Sequence, residues 1–127
     1  MAIQIKVVER GQPGVAGGGT KKYYASPVHG REITLEGLTK NIEKASTVSG
    51  ADIRAVLYAL VEEAVGGLSE GRIIRLGDLG SLRITLSSEG KEKPEQVTAA
   101  AVKKTSVIFT PGKKLQEMMK SAKFTKA

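Results

Sequence analysis

The longest regular pattern in the chain is an apolar stripe between residues 49 and 71, with apolar side chains recurring every three or four positions. That interval places them on one face of a helix. Ser49, with Asp52 three positions later, resembles a capping box at the start of this helix. Gly71 suits its C-terminal stop. The stripe consists of Ile53, Val56, Leu57, Leu60, Val61, Ala64, Val65 and Leu68.

Two shorter stretches repeat the helical interval. Residues 33–47 predict a helix in which Thr34 caps the free N–H groups and Glu36 lies favourably in the first turn. Residues 113–123 predict a short final helix that begins near Pro111. The apolar faces of the two helices are Leu35, Leu38, Ile42 and Ala45 in the first, and Leu115, Met118, Met119 and Ala122 in the last.

Alternating patterns predict strands in the remaining segments. Residues 72–86 predict two strands joined by the turn Gly77 to Gly80, and residues 103–112 predict a third. Residues 3–8 and 21–28 predict a hairpin around the glycine-rich loop 11–19. We therefore expect an N-terminal hairpin extension over residues 1–30 and a main domain over residues 31–127.

The predicted fold is α+β: a helical base and a three-stranded antiparallel sheet, with a long polar excursion before the last strand. A three-stranded sheet has two faces, and the helices are too few to cover both of them. The wide stripe of the second helix also needs a partner. A symmetric homodimer is the simplest way to bury these surfaces.

Composition excludes several classes of protein. The chain has no Cys and a single His, so thiolate chemistry and multi-histidine metal sites are not expected. No nucleophile–base pair stands out, so we predict neither an enzyme nor a cofactor. No apolar run is long enough for a membrane span, and no signal-peptide core is present, so we expect a cytoplasmic protein with no membrane partner.

The charge distribution adds a candidate partner. The formal net charge is +7, and residues 91–127 hold nine lysines against three glutamates. A basic segment of this kind favours a surface that attracts polyanions. The alternative is a lysine-rich tail that only keeps the chain in solution.

Two motifs give a family resemblance. GRIIRLGDLGSLRI (residues 71–84) is similar to the turn and first strands of the bacterial histone-like DNA-binding proteins, the HU and integration-host-factor family. VIFTPGKKL (residues 107–115) resembles the last strand of that family and its Phe-x-Pro-Gly-Lys connection to the final helix. Together with the element order, the resemblance covers about residues 31–122. The family pattern does not include residues 1–28, which resemble an HU-related subgroup with an added N-terminal segment.

The resemblance implies a fold and a function. The fold is an intertwined homodimer with a helical base, a saddle of strands and a protruding arm. The function is architectural: binding of double-stranded DNA with little sequence preference, and bending of the duplex in the nucleoid. A homodimer and double-stranded DNA are therefore the implied partners.

The same resemblance makes residues 87–106 the arm. Pro94 matches the tip proline that wedges between base steps, while Lys91, Lys93, Lys103 and Lys104 would contact phosphates. This arm departs from the family because three glutamates at positions 89, 92 and 95 interrupt its lysines. Its continuation PEQVTAAAVKK also suits a short helix. Pro94 is thus open to two interpretations, a wedge or a turn former.

Four further cations are candidate DNA contacts. Arg75 and Arg83 either line the saddle or lie on the solvent face of a strand. Lys113 and Lys114, at a helix start, suit phosphate binding but also suit an exposed turn.

An alternative function also fits the sequence. The chain would be a protein-interaction module with an HU fold and weakened or lost DNA binding, which the acidic interruptions of the arm favour. Residues 1–30 would extend the sheet, protect an edge or bind a protein partner.

Overall fold

The computed structural model of the protein describes residues 1–12 and 14–127, and this part of the chain forms three α-helices and two three-stranded sheets. The predicted α+β class is confirmed. Short 3-10 turns occupy Ala16–Gly18, Pro94–Gln96 and Ala99–Ala101. The elements are β1 (Ile3–Arg10), β2 (Lys22–Pro27), α1 (Leu35–Ala45), α2 (Gly50–Ser69), β3 (Ile74–Arg75), β4 (Gly80–Ser88), β5 (Val102–Pro111), α3 (Lys113–Ser121) and β6 (Phe124–Lys126).

The first two helices begin where the sequence predicts. The Thr34 hydroxyl accepts a hydrogen bond from the Gly37 amide at 3.1 Å, and the Ser49 hydroxyl accepts one from the Asp52 amide at 3.3 Å. Each bond satisfies an amide that has no partner inside its helix. The helix α2 ends before Gly71, whose φ of 76° is the left-handed conformation typical of a helix stop. Within the described residues, no helix combines the length and apolarity that crossing a membrane requires.

The helices α1 and α2 pack through a small contact. Ile53 is 6% exposed, and Thr39 is buried with its hydroxyl donating to the Leu35 carbonyl at 2.8 Å. The Glu43 carboxylate accepts a hydrogen bond from the Gly50 amide at the start of α2. This bond ties the end of one helix to the beginning of the next.

One sheet has the order β3-β4-β5 and is antiparallel throughout. Leu82 of β4 lies between Ile74 and Phe109, and this register runs on to Ser87 opposite Lys104. A bulge then shifts the pairing, because Ser88 pairs with Val102. Lys103 is the extra residue in this bulge.

The other sheet has the order β2-β1-β6. β1 pairs antiparallel with β2, and parallel with the C-terminal strand β6. The sequence did not indicate β6. By its internal contacts, the chain divides into residues 1–33 with 118–127, and residues 34–117. The predicted boundary at residue 30 stays a prediction; the pairing of β6 explains why the C-terminal residues group with the N-terminal sheet.

The chain buries very little apolar surface. Within the described residues, Ile53 and Ala101 are the only apolar side chains that are buried. The exposed surface is 10562 Å². A compact monomer of 13.4 kDa should expose roughly 6,500 Å², and two separate compact bodies of these sizes about 7,700 Å². The chain therefore exposes more surface than compact bodies of this size, and many large apolar side chains, such as Val56 and Val61, contribute to it.

Candidate nucleic-acid interface

The register of the β3-β4-β5 sheet sorts its side chains onto two faces. Residues directly opposite each other on paired strands point to the same face, and successive residues alternate between faces. Arg75 pairs with Ser81, Arg83 with Ile108, and Ser87 with Lys104. These pairs therefore share one face, which we call the saddle face.

The saddle face contains cations and hydroxyls and no carboxylate. Its members are Arg75 of β3, Ser81, Arg83, Thr85 and Ser87 of β4, and Lys104, Ser106, Ile108 and Thr110 of β5. Arg75, Arg83 and Lys104 are exposed. Within the described part of the chain, none of these three cations forms a salt bridge. Their charges are therefore not offset by the protein, and the hydroxyls between them can donate hydrogen bonds to an anion.

The opposite face of the sheet is apolar. Its side chains are Ile74, Leu82, Ile84, Leu86, Val107 and Phe109, with Thr105 among them. Several remain well exposed, for example Leu86 at 59% and Val107 at 56%. One face of the sheet therefore carries the cations and most of the hydroxyl side chains, and the other carries mainly apolar side chains.

The turn before β4 is joined to the start of α3. The Gly112 amide donates to the Leu79 carbonyl at 2.9 Å, and the Lys114 amide donates to the Asp78 carbonyl at 3.3 Å. These bonds bring together the two motifs that carry the family resemblance. The Gly112 and Lys114 amides are therefore not available to an anion at the start of α3, where the ammonium groups of Lys113 and Lys114 could still attract one. Both side chains are exposed.

A small open pocket lies where the saddle face meets this turn. It has a volume of about 230 Å³. Arg75 and the hydroxyl residues Ser81 and Thr110 line it together with the turn glycines Gly77 and Gly80. A guanidinium beside two hydroxyl side chains suits a phosphate group.

The arm is folded back on itself. The Glu89 amide donates to the Ala101 carbonyl at 2.8 Å and closes the loop, and Ala101 is only 3% exposed. Pro94 begins one of the two 3-10 turns inside this loop and is exposed. Lys91 forms an ion pair with Glu89 at 3.1 Å. The arm therefore contains the short helical turns that its alanine-rich sequence suits, and one of its lysines is partly neutralised.

The structure groups the predicted site residues into three places. Arg75, Arg83 and Lys104 share the saddle face, with Lys103 beside them in the bulge. Lys113 and Lys114 lie at the start of α3. The arm residues are Lys91, Lys93 and Pro94, of which Lys93 directly precedes the first 3-10 turn.

Sequence reasoning missed the hydroxyl side chains of the saddle face. Thr85, Ser87 and Ser106 are ordinary strand residues until the register places them between cations. The sequence did contain a pattern that could have identified them. Along residues 81–87 of β4, hydroxyl or basic residues alternate with apolar ones. Within the described residues, no cluster of acidic or histidine side chains suits a metal ion.

Comparison with known proteins identifies the family. The helical pair and the β3-β4-β5 sheet define a small α+β domain. A sequence profile of the family described as "HU domain fused to wHTH, Ig, or Glycine-rich motif" matches residues 1–126. The chain belongs to this family, abbreviated HU-HIG, and the match includes the N-terminal sheet.

A solved structure shares the fold. The crystal structure of a candidate bacterial DNA-binding protein from Bacteroides vulgatus ATCC 8482 superimposes with a TM-score of 0.70 at 17% sequence identity. The match covers 98% of this chain and 48% of the other, so the chain spans about half the length of that protein. Among curated proteins, none matches the chain.

The glycines of the turn provide a matched test of its geometry. Gly77 has a φ of 62° with open space where a Cβ would lie, so Gly77→Ala should cost about 1 kcal/mol of unfolding free energy. Gly80 has a φ of 148°, and its Cβ would collide with the Thr110 carbonyl oxygen and the Phe109 ring. We expect Gly80→Ala to cost more than about 3 kcal/mol. Urea unfolding at one fixed protein concentration measures both, and equal costs would contradict this description of the turn.

Proposed function

We propose that the protein is a homodimeric architectural DNA-binding protein. It binds double-stranded DNA with little sequence preference, bends it, and acts in the nucleoid. The observation that carries the proposal is the saddle face, where exposed cations lie among hydroxyl groups with no carboxylate. Membership of an HU-domain family supports it, as does the shared fold with a candidate bacterial DNA-binding protein.

Phosphate recognition explains the chemistry of the saddle face. Arginine and lysine supply the attraction that dominates DNA affinity, and each neutralised phosphate releases counterions. Serine and threonine hydroxyls add hydrogen bonds that position the backbone. Such contacts carry no information about base sequence, so the face favours binding with little sequence preference. Lys103, Lys113 and Lys114 extend the proposed contacts beyond the sheet.

The arm is the proposed bending element. Pro94 is exposed near the arm tip and has no backbone N–H to satisfy, so it can enter between base steps as an apolar wedge. Unstacking a base step costs a few kcal/mol, which extra phosphate contacts along the bent duplex offset. Lys93 is the proposed phosphate contact beside the wedge. Lys91 should contribute less because Glu89 pairs with it at 3.1 Å.

A homodimer provides the cover that the apolar surfaces need. Three side chains on one face of α2 are exposed: Tyr58 at 59%, Val61 at 55% and Val65 at 57%. Their spacing of three and four residues is that of neighbours on a helix surface. The apolar face of the β3-β4-β5 sheet is uncovered as well. Obligate dimers bury interfaces that resemble a domain core. A second copy would cover both surfaces and leave the two saddle faces free for one duplex.

A second function has an observation in its favour. The arm carries Glu89, Glu92 and Glu95, and these carboxylates repel phosphates. An HU fold with such an arm could serve as a protein-interaction module that has lost its affinity for DNA. The two functions differ in what the saddle face does, so substitution of its cations separates them.

If the saddle face binds phosphates, removal of its cations should weaken DNA binding and its salt dependence by a predictable amount. The variant Arg75→Ala/Arg83→Ala/Lys104→Ala should bind duplex DNA much more weakly. The slope of log Kobs against log[salt] should decrease by about 0.9 for each lost phosphate contact. Fluorescence anisotropy over a salt series, with a duplex of random sequence, measures both quantities.

The matched control removes three exposed cations elsewhere. Lys40→Ala/Lys44→Ala/Lys120→Ala changes the net charge equally but leaves the saddle face intact. It should bind nearly as well as the unmodified chain. If the unmodified chain fails to bind duplex at low salt, the architectural function is wrong and the protein-interaction module becomes the better account.

Bending should depend on the arm tip. Pro94→Ala should lower affinity less than threefold, because it removes no charge, but should reduce the bend, because the wedge is gone. Energy transfer between dyes at the two ends of a short duplex measures the bend. Pro27→Ala, which changes a proline in the N-terminal sheet, serves as the control. An unchanged bend in Pro94→Ala would show that Pro94 is only a turn former.

If α2 lies in the proposed dimer interface, a charged side chain on its exposed apolar face should strongly weaken the dimer. Val61→Asp would bury two unpaired carboxylates in a symmetric interface, so dimer dissociation should increase by about 100-fold or more. Val15→Asp adds the same charge at an exposed loop residue and should have no effect. Size-exclusion chromatography with light scattering reports the mass, expected to be twice 13.4 kDa for the unmodified chain. A monomer at micromolar concentration would contradict the dimer.

A further inference from the structure

The N-terminal sheet also has two chemically different faces. In β1, Lys6 lies opposite Ser26, Val8 opposite Tyr24, and Arg10 opposite Lys22. Gln4 lies opposite Thr125 of β6 on the same side. We call this side the N-terminal basic face. It has three cations, several hydrogen-bonding side chains and no carboxylate.

The other side of this sheet is largely apolar. Ile3, Ile5, Val7, Ala25, Pro27 and Phe124 share it with Tyr23, Glu9 and Lys126. Phe124 is 61% and Val7 53% exposed. An assembly that buries apolar surface would cover this side. The three cations of the N-terminal basic face would then remain exposed, with Val8, Tyr24 and Ser26 half-buried between them.

The cations of the basic face lack any protein partner. Lys6, Arg10 and Lys22 are exposed, and within the described residues none of them forms a salt bridge. Arg10 and Lys22 are directly opposite each other, and like charges in this position destabilise a strand pair. A bound anion would remove that repulsion.

We propose that the N-terminal basic face is a second contact surface for double-stranded DNA. The inference rests on the proposed function, because it assigns the N-terminal sheet to the same ligand. Lys6 and Arg10 are four residues apart on one strand, about 13 Å, a distance that spans about four base steps at 3.4 Å each. Tyr24, Ser26, Gln4 and Thr125 supply donors between and beside the cations.

A few contacts on the N-terminal basic face can suffice for DNA binding there, because the two sheets belong to one chain. Once the saddle face holds a duplex, DNA is present near the N-terminal sheet at a high effective concentration. Three additional phosphate contacts then raise affinity without a deep pocket. An acidic protein partner would also match the charge of this face. Its local concentration, however, would not be raised by the duplex that the same chain already binds.

The test compares two triple variants of the full chain. Lys6→Ala/Arg10→Ala/Lys22→Ala removes the basic face, and Lys40→Ala/Lys44→Ala/Lys120→Ala removes equal charge elsewhere. On one duplex, the basic-face variant should lower the salt slope by about 0.9 per lost contact, and affinity near 0.1 M salt by at least about tenfold. The control should match the unmodified chain. Circular dichroism checks that both variants are folded.

Lysine acetylation of the unmodified chain gives an independent readout that needs no substitution. With duplex bound, Lys6 and Lys22 should react more slowly, while Lys40 and Lys44 should react at the same rate as without DNA. Mass spectrometry measures each site. Unchanged reactivity of Lys6 and Lys22, together with an unchanged salt slope in the basic-face variant, would overturn the inference and leave the saddle face as the DNA site. No duplex binding by the unmodified chain would overturn both proposals.

Discussion

The strongest physical constraint on this protein is the apolar surface that a single chain leaves exposed. The described residues contain only two buried apolar side chains, Ile53 and Ala101, while most of the stripe on α2 and several apolar side chains on one face of each sheet are at least partly exposed. Hydrophobic burial is the main favourable contribution to folding, so a stable form needs further contacts. A second copy of the chain would supply a surface of the same composition, and the proposed homodimer rests on this match.

The same constraint determines where charge can lie. Each strand alternates between its two faces, so a strand that offers apolar residues to an interface must offer its other residues to solvent. In β4 these are Ser81, Arg83, Thr85 and Ser87, and in β1 they include Lys6 and Arg10. Both sheets therefore combine an apolar face with a face free of carboxylates. The arm is different: its glutamates and its closed loop make it a structured connection in which Pro94 is the distinctive feature.

The sequence predicted those elements whose signals are local. The hydroxyls of Thr34 and Ser49 cap helices as their positions indicate, and Gly71 follows the end of α2. The turn at Gly77 to Gly80 and the Phe109 to Lys113 motif indicated the family when combined with the predicted order of the elements. Each of these signals acts within a few residues and needs no knowledge of the rest of the fold.

What the sequence left open depends on pairing between distant segments. β6 has only three residues, too few for a period, and its partner β1 lies at the opposite end of the chain. The sequence also did not determine the strand register. A shift of one residue in the pairing would move every side chain of a strand to the opposite face of the sheet. For that reason the sequence alone could not place Arg75 and Arg83 on the same face as Ser81 and Ile108. The bulge at Lys103 and the folded arm also follow from tertiary contacts.

Two isoleucines on opposite faces of the β3-β4-β5 sheet can report whether duplex DNA binds to the saddle face, as we propose. Ile108 shares the saddle face with Arg83, whereas Ile84, paired with Val107, lies on the apolar face. Methyl NMR spectra recorded during titration with a duplex report on both residues at once. If the duplex lies on the saddle face, the Ile108 methyl signals should shift in proportion to bound DNA while those of Ile84 change little. Shifts at Ile84 without shifts at Ile108 would contradict it.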